Sequence, residues 1–404
     1  MKHVNRSENF DVIVLGVGAM GAATCWHLAR RGVRVLGLEQ NGIPNSLGSS
    51  HGYSRAIRLA YFEHGDYVPL LKRAWELWQD LETVSEQTLL YKTGCLYLGP
   101  PDSELIRGSR HSAQTHGLPH QSLSRQAIAD RFGQFQVPDD FIGLFETRGG
   151  TLRPEASIAA MALEALRSGA VLHGSATVTQ WQASPGGVTV QTAQGQTYRA
   201  AHLVISGGAW SSRLIEGLGV PLTVTRQVLG WVWPQTPEPF SLEAGFPTWA
   251  IEHGSEFHYG FPMLPDNPGF KIARHSPLGE ITTPETVRRA ATLEDEETFR
   301  PTLARFFPLA DGPTLAVRTC LYTNSPDGHF ILDRHPDHAN VTVACGFSGH
   351  GFKFAPVIGE ALADLATSDI TALPIAFLRL ERFAPLRNTA NTASAPGQTQ
   401  ALPR

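Results

Sequence analysis

Blocks of apolar residues near the start of the chain predict a strand, a helix and a second strand. Residues 11–15 form a short, branched, apolar run, typical of a strand that is buried on both faces. Residues 22–30 are good helix formers, and Gly32 is placed to end that helix. Residues 33–38 then read as the second strand. This order predicts a βαβ unit.

The glycines between the first strand and the helix indicate what this unit binds. Gly16, Gly18 and Gly21 have the spacing G-x-G-x-x-G. Gly16 would make the tight turn, Gly18 would leave room for a pyrophosphate, and Gly21 would let the helix approach the strand. Glu39, at the end of the second strand, would accept hydrogen bonds from an adenosine ribose and argues against a 2′-phosphate. The unit therefore predicts a bound dinucleotide, and leaves NAD and FAD open.

Later hydrophobic patterns predict two domains, one of them interrupted. Apolar periodicity predicts helices at 67–81, 154–167 and 357–366, and buried parallel strands at 201–210 and 341–345. Between 222 and 317 the pattern changes to short strands punctuated by proline, which predicts an antiparallel second domain.

Two shorter stretches also read as strands. Residues 89–98 predict a strand pair around Gly94, and 171–179 with 188–191 predict a small antiparallel element. The fold class we expect is α/β, α+β overall, with a Rossmann-like dinucleotide domain and a second, mostly antiparallel domain.

Composition and charge exclude several classes of binding partner and site. The 404 residues carry a net charge of −4, and no cluster of Lys and Arg exceeds a pair, so we expect neither nucleic acid nor an acidic membrane surface as partner. No apolar run reaches the ~18 residues of a membrane span. The first ten residues are polar, and the four cysteines lack disulfide or zinc spacing. We therefore expect a cytoplasmic protein without a metal site.

Four cations and a histidine are candidates for chemistry. Arg55 and Arg58 lie three apart in an otherwise uncharged loop, where they would share a face of a helix or tight turn; surface arginines are the common alternative. Lys353 follows a glycine-rich segment at a predicted helix start, where the dipole disfavours a cation, which suggests an anionic ligand nearby; a solvated lysine is the alternative. Lys271 and His275 would share one face of a strand, a pattern that an ordinary half-exposed strand would also show.

Seven segments together resemble the sarcosine oxidase and N-methyltryptophan oxidase group of flavoprotein amine oxidases. The resemblance extends from about residue 8 to 385. The matching segments are 48–58, 66–70, 142–146, 259–262, 269–275, 320–322 and 346–353.

The resemblance implies FAD as the cofactor, attached covalently through the sulfur of Cys320. It implies that Arg58 and Lys353 bind the substrate carboxylate, that Lys271 lies over the flavin where oxygen reacts, and that His275 and Tyr259 line the amine site. The cofactor-binding residues expected are Gly16, Gly18, Gly21, Glu39, His51, Arg55, Val178, Cys320, Gly349, Gly351 and Lys353.

The change of pattern along the chain leads us to expect an FAD-binding domain of 8–88, 150–220 and 318–386 and a substrate domain of 89–149 and 221–317. Residues 387–404 lack apolar periodicity and are rich in Asn, Thr, Ala and Pro, so we expect a disordered tail there.

The expected function is oxidation of an N-methyl amino acid such as sarcosine or N-methyl-L-tryptophan, by a monomer that uses O2 and releases formaldehyde and hydrogen peroxide. Four alternatives stay open: a flavin dehydrogenase, an enzyme for a cyclic imino acid such as pipecolate, an NAD-dependent dehydrogenase and a non-catalytic flavin-binding module.

Overall fold

The computed structural model describes residues 9–267 and 269–384. The predicted tail, 387–404, lies outside the described residues. The α-helices of the described residues are α1 (Ala19–Ala29), α2 (Tyr67–Ser85), α3 (Glu104–Thr115), α4 (Arg125–Arg131), α5 (Pro154–Arg167), α6 (Ser211–Leu214), α7 (Leu293–Glu297), α8 (Arg300–Phe306) and α9 (Ala355–Ser368).

Strands of the described residues form three sheets. They are β1 (Asn9–Leu15), β2 (Val35–Leu38), β3 (Arg55–Ile57), β4 (Leu90–Tyr91), β5 (Cys95–Gly99), β6 (His120–Leu123), β7 (Ile142–Glu146), β8 (Gly150–Leu152), β9 (Val171–His173), β10 (Val178–Ser184), β11 (Gly187–Thr192), β12 (Thr197–Ile205), β13 (Thr223–Val232), β14 (Thr248–His253), β15 (Glu256–Phe261), β16 (Phe270–Ser276), β17 (Ile281–Thr282), β18 (Thr314–Asn324), β19 (Ile331–His335) and β20 (His338–Cys345).

The first sheet confirms the predicted βαβ unit and the predicted buried parallel strands. Its centre is parallel, in the order β20-β12-β1-β2-β9, and Val14 of β1 lies between Val204 of β12 and Gly37 of β2. The hairpin of β10 and β11 continues the sheet from the first half of β12, while β20 pairs with its second half. Because the centre is covered on both faces, its strands are continuous apolar runs.

Helices α1, α5 and α9 pack together beside this sheet. Every residue of α1 is buried, which explains why small side chains dominate its sequence. Gly359 of α9 lies against Ala23 of α1, and a Cβ there would stand 2.5 Å from the Ala23 Cβ. The close helix contact therefore depends on glycine at this position.

The second large sheet confirms the predicted antiparallel region. Its main path is β17-β13-β16-β15-β14-β5-β7-β6, with β18 paired to β13, and only β14 and β5 are parallel neighbours. Aromatic side chains such as Phe246, Trp249 and Phe307 fill the core on one face of this sheet. The third sheet is small, in the order β3-β8-β4.

Two strand predictions were wrong in detail. The pair around Gly94 is not a hairpin, because β4 joins the small sheet while β5 joins the large antiparallel one. Residues 171–179 do not form one strand: β9 lies parallel to β2, and the chain turns at Ser175, with φ 57°, before β10 begins. Helix α3 and the full length of β18 were not predicted. No helix among the described residues combines the length and apolar character needed to cross a membrane.

Candidate active site

One long cavity runs between the parallel sheet and the large antiparallel sheet. Most of the predicted site residues line it: Gly16, Gly18, Glu39, Arg55, Arg58, Val178, Tyr259, His275, Gly349, Gly351 and Lys353. Gly21, His51, Lys271 and Cys320 do not line it. Residues far apart in the chain therefore meet around one space large enough for an elongated ligand.

At one end of the cavity, the glycine turn exposes backbone to the ligand space. Gly16 has φ 87°, and its N–H donates to the Leu38 carbonyl at 2.8 Å, which ties the turn to β2. A Cβ on Gly18 would meet no protein atom within 4 Å, so the space beside it belongs to the cavity. A Cβ on Gly21 would lie 1.9 Å from the Gly16 oxygen. Gly21 therefore serves helix packing, while Gly18 leaves room for a ligand at the N-terminus of α1.

Glu39 presents a carboxylate to the same end of the cavity. Its Oε2 accepts from the Val17 N–H and its Oε1 accepts from the Asn41 N–H, both at 3.0 Å. Burial raises the pKa of Glu39, although these backbone bonds act in the opposite direction. Because a carboxylate can accept about four hydrogen bonds, capacity remains for ribose hydroxyls.

Val178, Gly349 and Gly351 complete the wall. Val178 is the first residue of β10, just beyond the turn at Ser175. A Cβ on Gly349, which has φ 80°, would lie 2.3 Å from the Tyr322 ring, and one on Gly351 would lie 2.7 Å from Phe347. These two glycines are thus required by close packing around the cavity.

Arg58 occupies the other end of the cavity with an unexpected partner, Glu63. The two side chains form a short ion pair, and Glu63 also lines the cavity. The guanidinium lies over the Tyr61 ring, 4.3 Å from its centroid. Buried Arg58 Nη1 and Glu63 Oε2 have no hydrogen-bond partner among the described residues. Burial acts to lower the pKa of Arg58, but the charge and hydrogen bond of Glu63, together with Tyr61 and Tyr97, leave that pKa raised.

Lys353 is the second cation at this end. Its Nζ donates to the His350 carbonyl at 2.7 Å, which uses one of its three donors. Burial, assisted by the charge of Arg58, lowers the pKa of Lys353 to about 7. Two cations held together in a buried cavity favour an anion between them.

A polar chain of three side chains faces these cations. His275 Nδ1 lies 3.3 Å from Tyr322 Oη, and Tyr322 Oη lies 3.5 Å from Tyr259 Oη. Burial lowers the pKa of His275 to about 4, so its ring is neutral at neutral pH. This arrangement offers neutral hydrogen-bonding groups beside an anion site, which suits the amine of an amino acid.

Arg55 and Cys320 meet beside the middle of the cavity. Arg55 donates from Nη2 to the Ser49 carbonyl at 2.7 Å, and the same nitrogen lies 3.7 Å from the Cys320 sulfur. Cys320 is 2% exposed and lies in the middle of β18, beside Leu321 and Tyr322, which both line the cavity. The thiol is therefore adjacent to the ligand space without being part of its wall. Arg55 lies on β3 and Arg58 follows that strand, so the predicted helix or tight turn was wrong, although both side chains line the cavity.

Lys271 lies behind the loop that carries these arginines. Its Nζ donates to the carbonyls of Gly52 and Ser54 at 2.8 and 2.9 Å, and the residue is fully buried. Glu155 fixes the same loop, because its carboxylate accepts from the N–H groups of Gly52 and Tyr53. Burial lowers the pKa of Lys271 well below its ordinary value.

His51 belongs to the same loop. It is 2% exposed, and burial, with the charges of Arg55 and Lys271, lowers its pKa to about 3. Sequence reasoning missed Glu63 and Glu155. Each is a single acid without a local motif: Glu63 lies near Arg58 in the chain but in a segment without regular structure, and Glu155 is 102 and 103 residues from the two loop positions it fixes.

One group of possible metal ligands lies elsewhere. Ligand atoms of His253, Glu256 and His258 lie within 4.8 Å of one another. His258 Nε2 lies 3.0 Å from the Thr298 carbonyl, and Arg274 lies 3.7 Å from Glu256. Since these neighbours already occupy or neutralise the ligand atoms, we assign no metal to this group.

Comparison with known families defines the class of protein. Residues 11–365 match the family model for FAD dependent oxidoreductases. The glycine turn, the free face of Gly18 and the Glu39 carboxylate fit such a cofactor. The chain is thus an FAD-dependent oxidoreductase in fold and family, and the cofactor predicted from the sequence is confirmed at this level.

Individual relatives show which smaller family within this class the chain belongs to. A monomeric sarcosine oxidase of Streptomyces avermitilis is 43% identical over 383 residues, which cover 94% of this chain and 99% of the relative. An N-methyl-L-tryptophan oxidase of Citrobacter koseri is 37% identical over 377 residues, covering 93% and 99%. The chain belongs to the monomeric sarcosine oxidase and N-methyltryptophan oxidase family, as the resemblance predicted.

A solved structure supports the same fold. NikD, described as an unusual amino acid oxidase essential for nikkomycin biosynthesis, superposes with a TM-score of 0.80 at 28% identity. The match covers 92% of this chain and 97% of NikD. The predicted α/β fold class is confirmed.

Proposed function

We propose that this protein oxidatively demethylates an N-methyl amino acid, such as sarcosine or N-methyl-L-tryptophan. The products are the primary amino acid, formaldehyde and hydrogen peroxide. The observation that carries the proposal is the pair of cations, Arg58 and Lys353, at the far end of the dinucleotide cavity, with the Arg58 Nη1 donor unpartnered in the described residues. The names of the relatives support the same substrate class.

Arg58 and Lys353 hold the substrate carboxylate in this proposal. Each charge-assisted hydrogen bond would contribute about 1.5–3 kcal/mol. The guanidinium has a planar fork that can bind both carboxylate oxygens, while Lys353 supplies a compact charge. Fixing the carboxylate at two points also fixes the direction in which the N-methyl group extends, and so replaces a random encounter with a positioned one.

The groups around the amine suit its neutral form. His275 is uncharged at neutral pH because burial lowers its pKa to about 4, and burial raises the pKa of Tyr259 above its ordinary value. Together with Tyr322 they offer hydrogen bonds without adding charge. Since the deprotonated amine is the reactive form, we expect the rate at which bound substrate is oxidised, measured at saturating substrate, to rise toward alkaline pH.

In this proposal Glu39 would hold the adenosine end of the FAD, and Gly16 and Gly18 would leave room for its pyrophosphate. The chemistry that a bound flavin would supply is acceptance of a hydride from the substrate and transfer of the electrons to dioxygen. We propose that Cys320 attaches it covalently, which the position of that sulfur beside Arg55 supports. Arg55 and His51 would then lie beside the flavin, and Lys271 would supply positive charge to the reaction with dioxygen.

The domain division remains part of the proposal. The parallel sheet with α1, α5 and α9 supports an FAD-binding domain of 8–88, 150–220 and 318–386. The antiparallel sheet supports a substrate domain of 89–149 and 221–317. Strand β18 pairs with β13 of that sheet and crosses the proposed boundary between residues 317 and 318. We further propose that the protein is a cytoplasmic monomer.

A substrate panel tests the function. The purified yellow protein is supplied with sarcosine, N-methyl-L-tryptophan, pipecolate and proline, and peroxide and formaldehyde are measured. We expect one peroxide and one formaldehyde per N-methyl substrate consumed. Peroxide without formaldehyde, from pipecolate or proline alone, would favour the cyclic imino acid alternative, and bleaching without peroxide would favour a dehydrogenase.

A further inference from the structure

The chain that carries Arg58 leaves regular structure while it is still deeply buried. Strand β3 ends at Ile57, and the next helix, α2, begins only at Tyr67. Leu59 and Ala60 are nevertheless 0% exposed. Their backbone N–H groups cannot reach water and have no strand or helix partner, so another acceptor must satisfy them.

That acceptor is the carboxylate of Glu146, the last residue of β7. Its Oε2 accepts from the Ala60 N–H at 2.7 Å, and its Oε1 accepts from the Leu59 N–H at 3.0 Å. Tyr97 Oη donates to Oε1 at 2.6 Å, and Glu146 itself is 1% exposed. All three donors point at one buried side chain, which is an acceptor and not a donor when it is ionised.

Glu146 ends a strand of the large antiparallel sheet, next to the place where the small sheet stops. Strand β3 runs antiparallel to β8, with Ile57 opposite Gly150. Beyond this pair the strand pairing stops. The side chain of Glu146, which precedes Gly150 by four residues, then accepts the hydrogen bonds of the next backbone N–H groups. The Glu146 carboxylate thus holds the backbone of the two residues that follow Arg58 in place.

We propose that Glu146 is a positioning residue for the binding of the substrate carboxylate. By fixing Leu59 and Ala60, it sets the direction in which Arg58 leaves the backbone and brings the guanidinium to the carboxylate. Tyr97 in turn orients Glu146. The inference rests on the proposed function, because it takes Arg58 as a carboxylate-binding residue.

Glu146→Gln and Tyr97→Phe test the two steps separately. The amide of Gln can accept one N–H, but its NH2 group would face the other donor. Phe keeps the ring and removes only the hydroxyl that orients Glu146. Glu82→Gln is the matched control, because Glu82 also accepts from two consecutive N–H groups, of Leu89 and Leu90, in another segment.

The measurement is the preference for a carboxylate over an amide. Methoxyacetate resembles sarcosine but carries oxygen in place of the amine, and methoxyacetamide is its uncharged counterpart. Calorimetry on the flavin-containing protein gives both dissociation constants, and their ratio is the preference. A residue that only stabilises the fold would lower the melting temperature without changing this ratio.

We expect Glu146→Gln to lower the preference about tenfold and Tyr97→Phe to lower it about threefold, with Glu82→Gln unchanged. If Glu146→Gln fails to fold, Tyr97→Phe decides alone. An unchanged preference in the folded variants, alongside a large loss in Arg58→Met, would overturn the role of Glu146 and leave the proposed function intact. An unchanged preference in Arg58→Met would overturn the carboxylate role of Arg58, and this inference with it.

Discussion

We expect Lys353 to become protonated when a carboxylate ligand binds at or above neutral pH. Burial, assisted by the charge of Arg58, lowers the pKa of Lys353 to about 7. An anion placed between the two cations favours the charged amine and would raise this pKa. The ligand therefore binds together with a proton wherever free Lys353 is neutral.

The size of this effect follows from the pKa. With a value of about 7, roughly nine tenths of free Lys353 is neutral at pH 8, so binding should take up about 0.9 proton there and very little at pH 6. Affinity should fall by up to about tenfold per pH unit between pH 7 and the pKa of the complex. His275, with a pKa of about 4, and Tyr259, with a raised pKa, both stay uncharged over this range.

Calorimetry measures the proton uptake directly. Methoxyacetate is titrated into the protein at pH 6 to 9 in pairs of buffers that differ in ionisation enthalpy, and the difference in heat gives the number of protons. Lys353→Met is the control, and should bind weakly with no uptake at any pH. An affinity independent of pH in the wild type, or equal uptake in Lys353→Met, would refute the reasoning.

Three further predictions concern the same cavity. Glu63→Gln should tighten methoxyacetate binding by about three- to tenfold, because Glu63 competes with the ligand for Arg58; weaker binding would show that Glu63 instead holds Arg58 in its binding position. On acid precipitation, Cys320→Ser should release all yellow colour into the supernatant, whereas the wild type should give a yellow pellet. The control is Cys95→Ser, which replaces another buried thiol beside the cavity and should also give a yellow pellet. A colourless wild-type pellet would disprove the covalent link. Gly18→Ala should lower the flavin content of the purified protein without lowering the melting temperature of flavin-free protein, because its Cβ meets no protein atom. Gly21→Ala, whose Cβ would lie 1.9 Å from the Gly16 oxygen, should lower that melting temperature, and the opposite pattern would contradict the assigned roles.

Local signals explain what could be predicted from the sequence. The unit of β1, α1 and β2 depends on the spacing of Gly16, Gly18 and Gly21 and on a branched apolar run, and all of these lie within 30 residues. Helix α5 was predicted with its observed bounds because Pro154 marks its first turn. Helix α3 was missed although Ser103 caps it by accepting from the Ile106 N–H, a signal that was available.

The remaining features depend on contacts between distant parts of the chain. Lys271 reaches the carbonyl of Gly52 across 219 positions, and Glu146 reaches Leu59 across 87. Neither partner carries a local pattern that names the other. Glu63 is only five residues from Arg58, but its segment has no regular structure, so no periodicity places the two side chains together.

The most direct test of the central claim compares a substrate with its amide. The value of kcat/KM is measured for the best N-methyl amino acid of the panel and for the corresponding amide, in the wild type and in the double variant Arg58→Met, Lys353→Met. We expect the double variant to lose about 10²- to 10⁴-fold of the preference for the acid, since two charge-assisted contacts are removed. A preference that stays within threefold of the wild-type value would contradict the claim that these two cations hold the carboxylate.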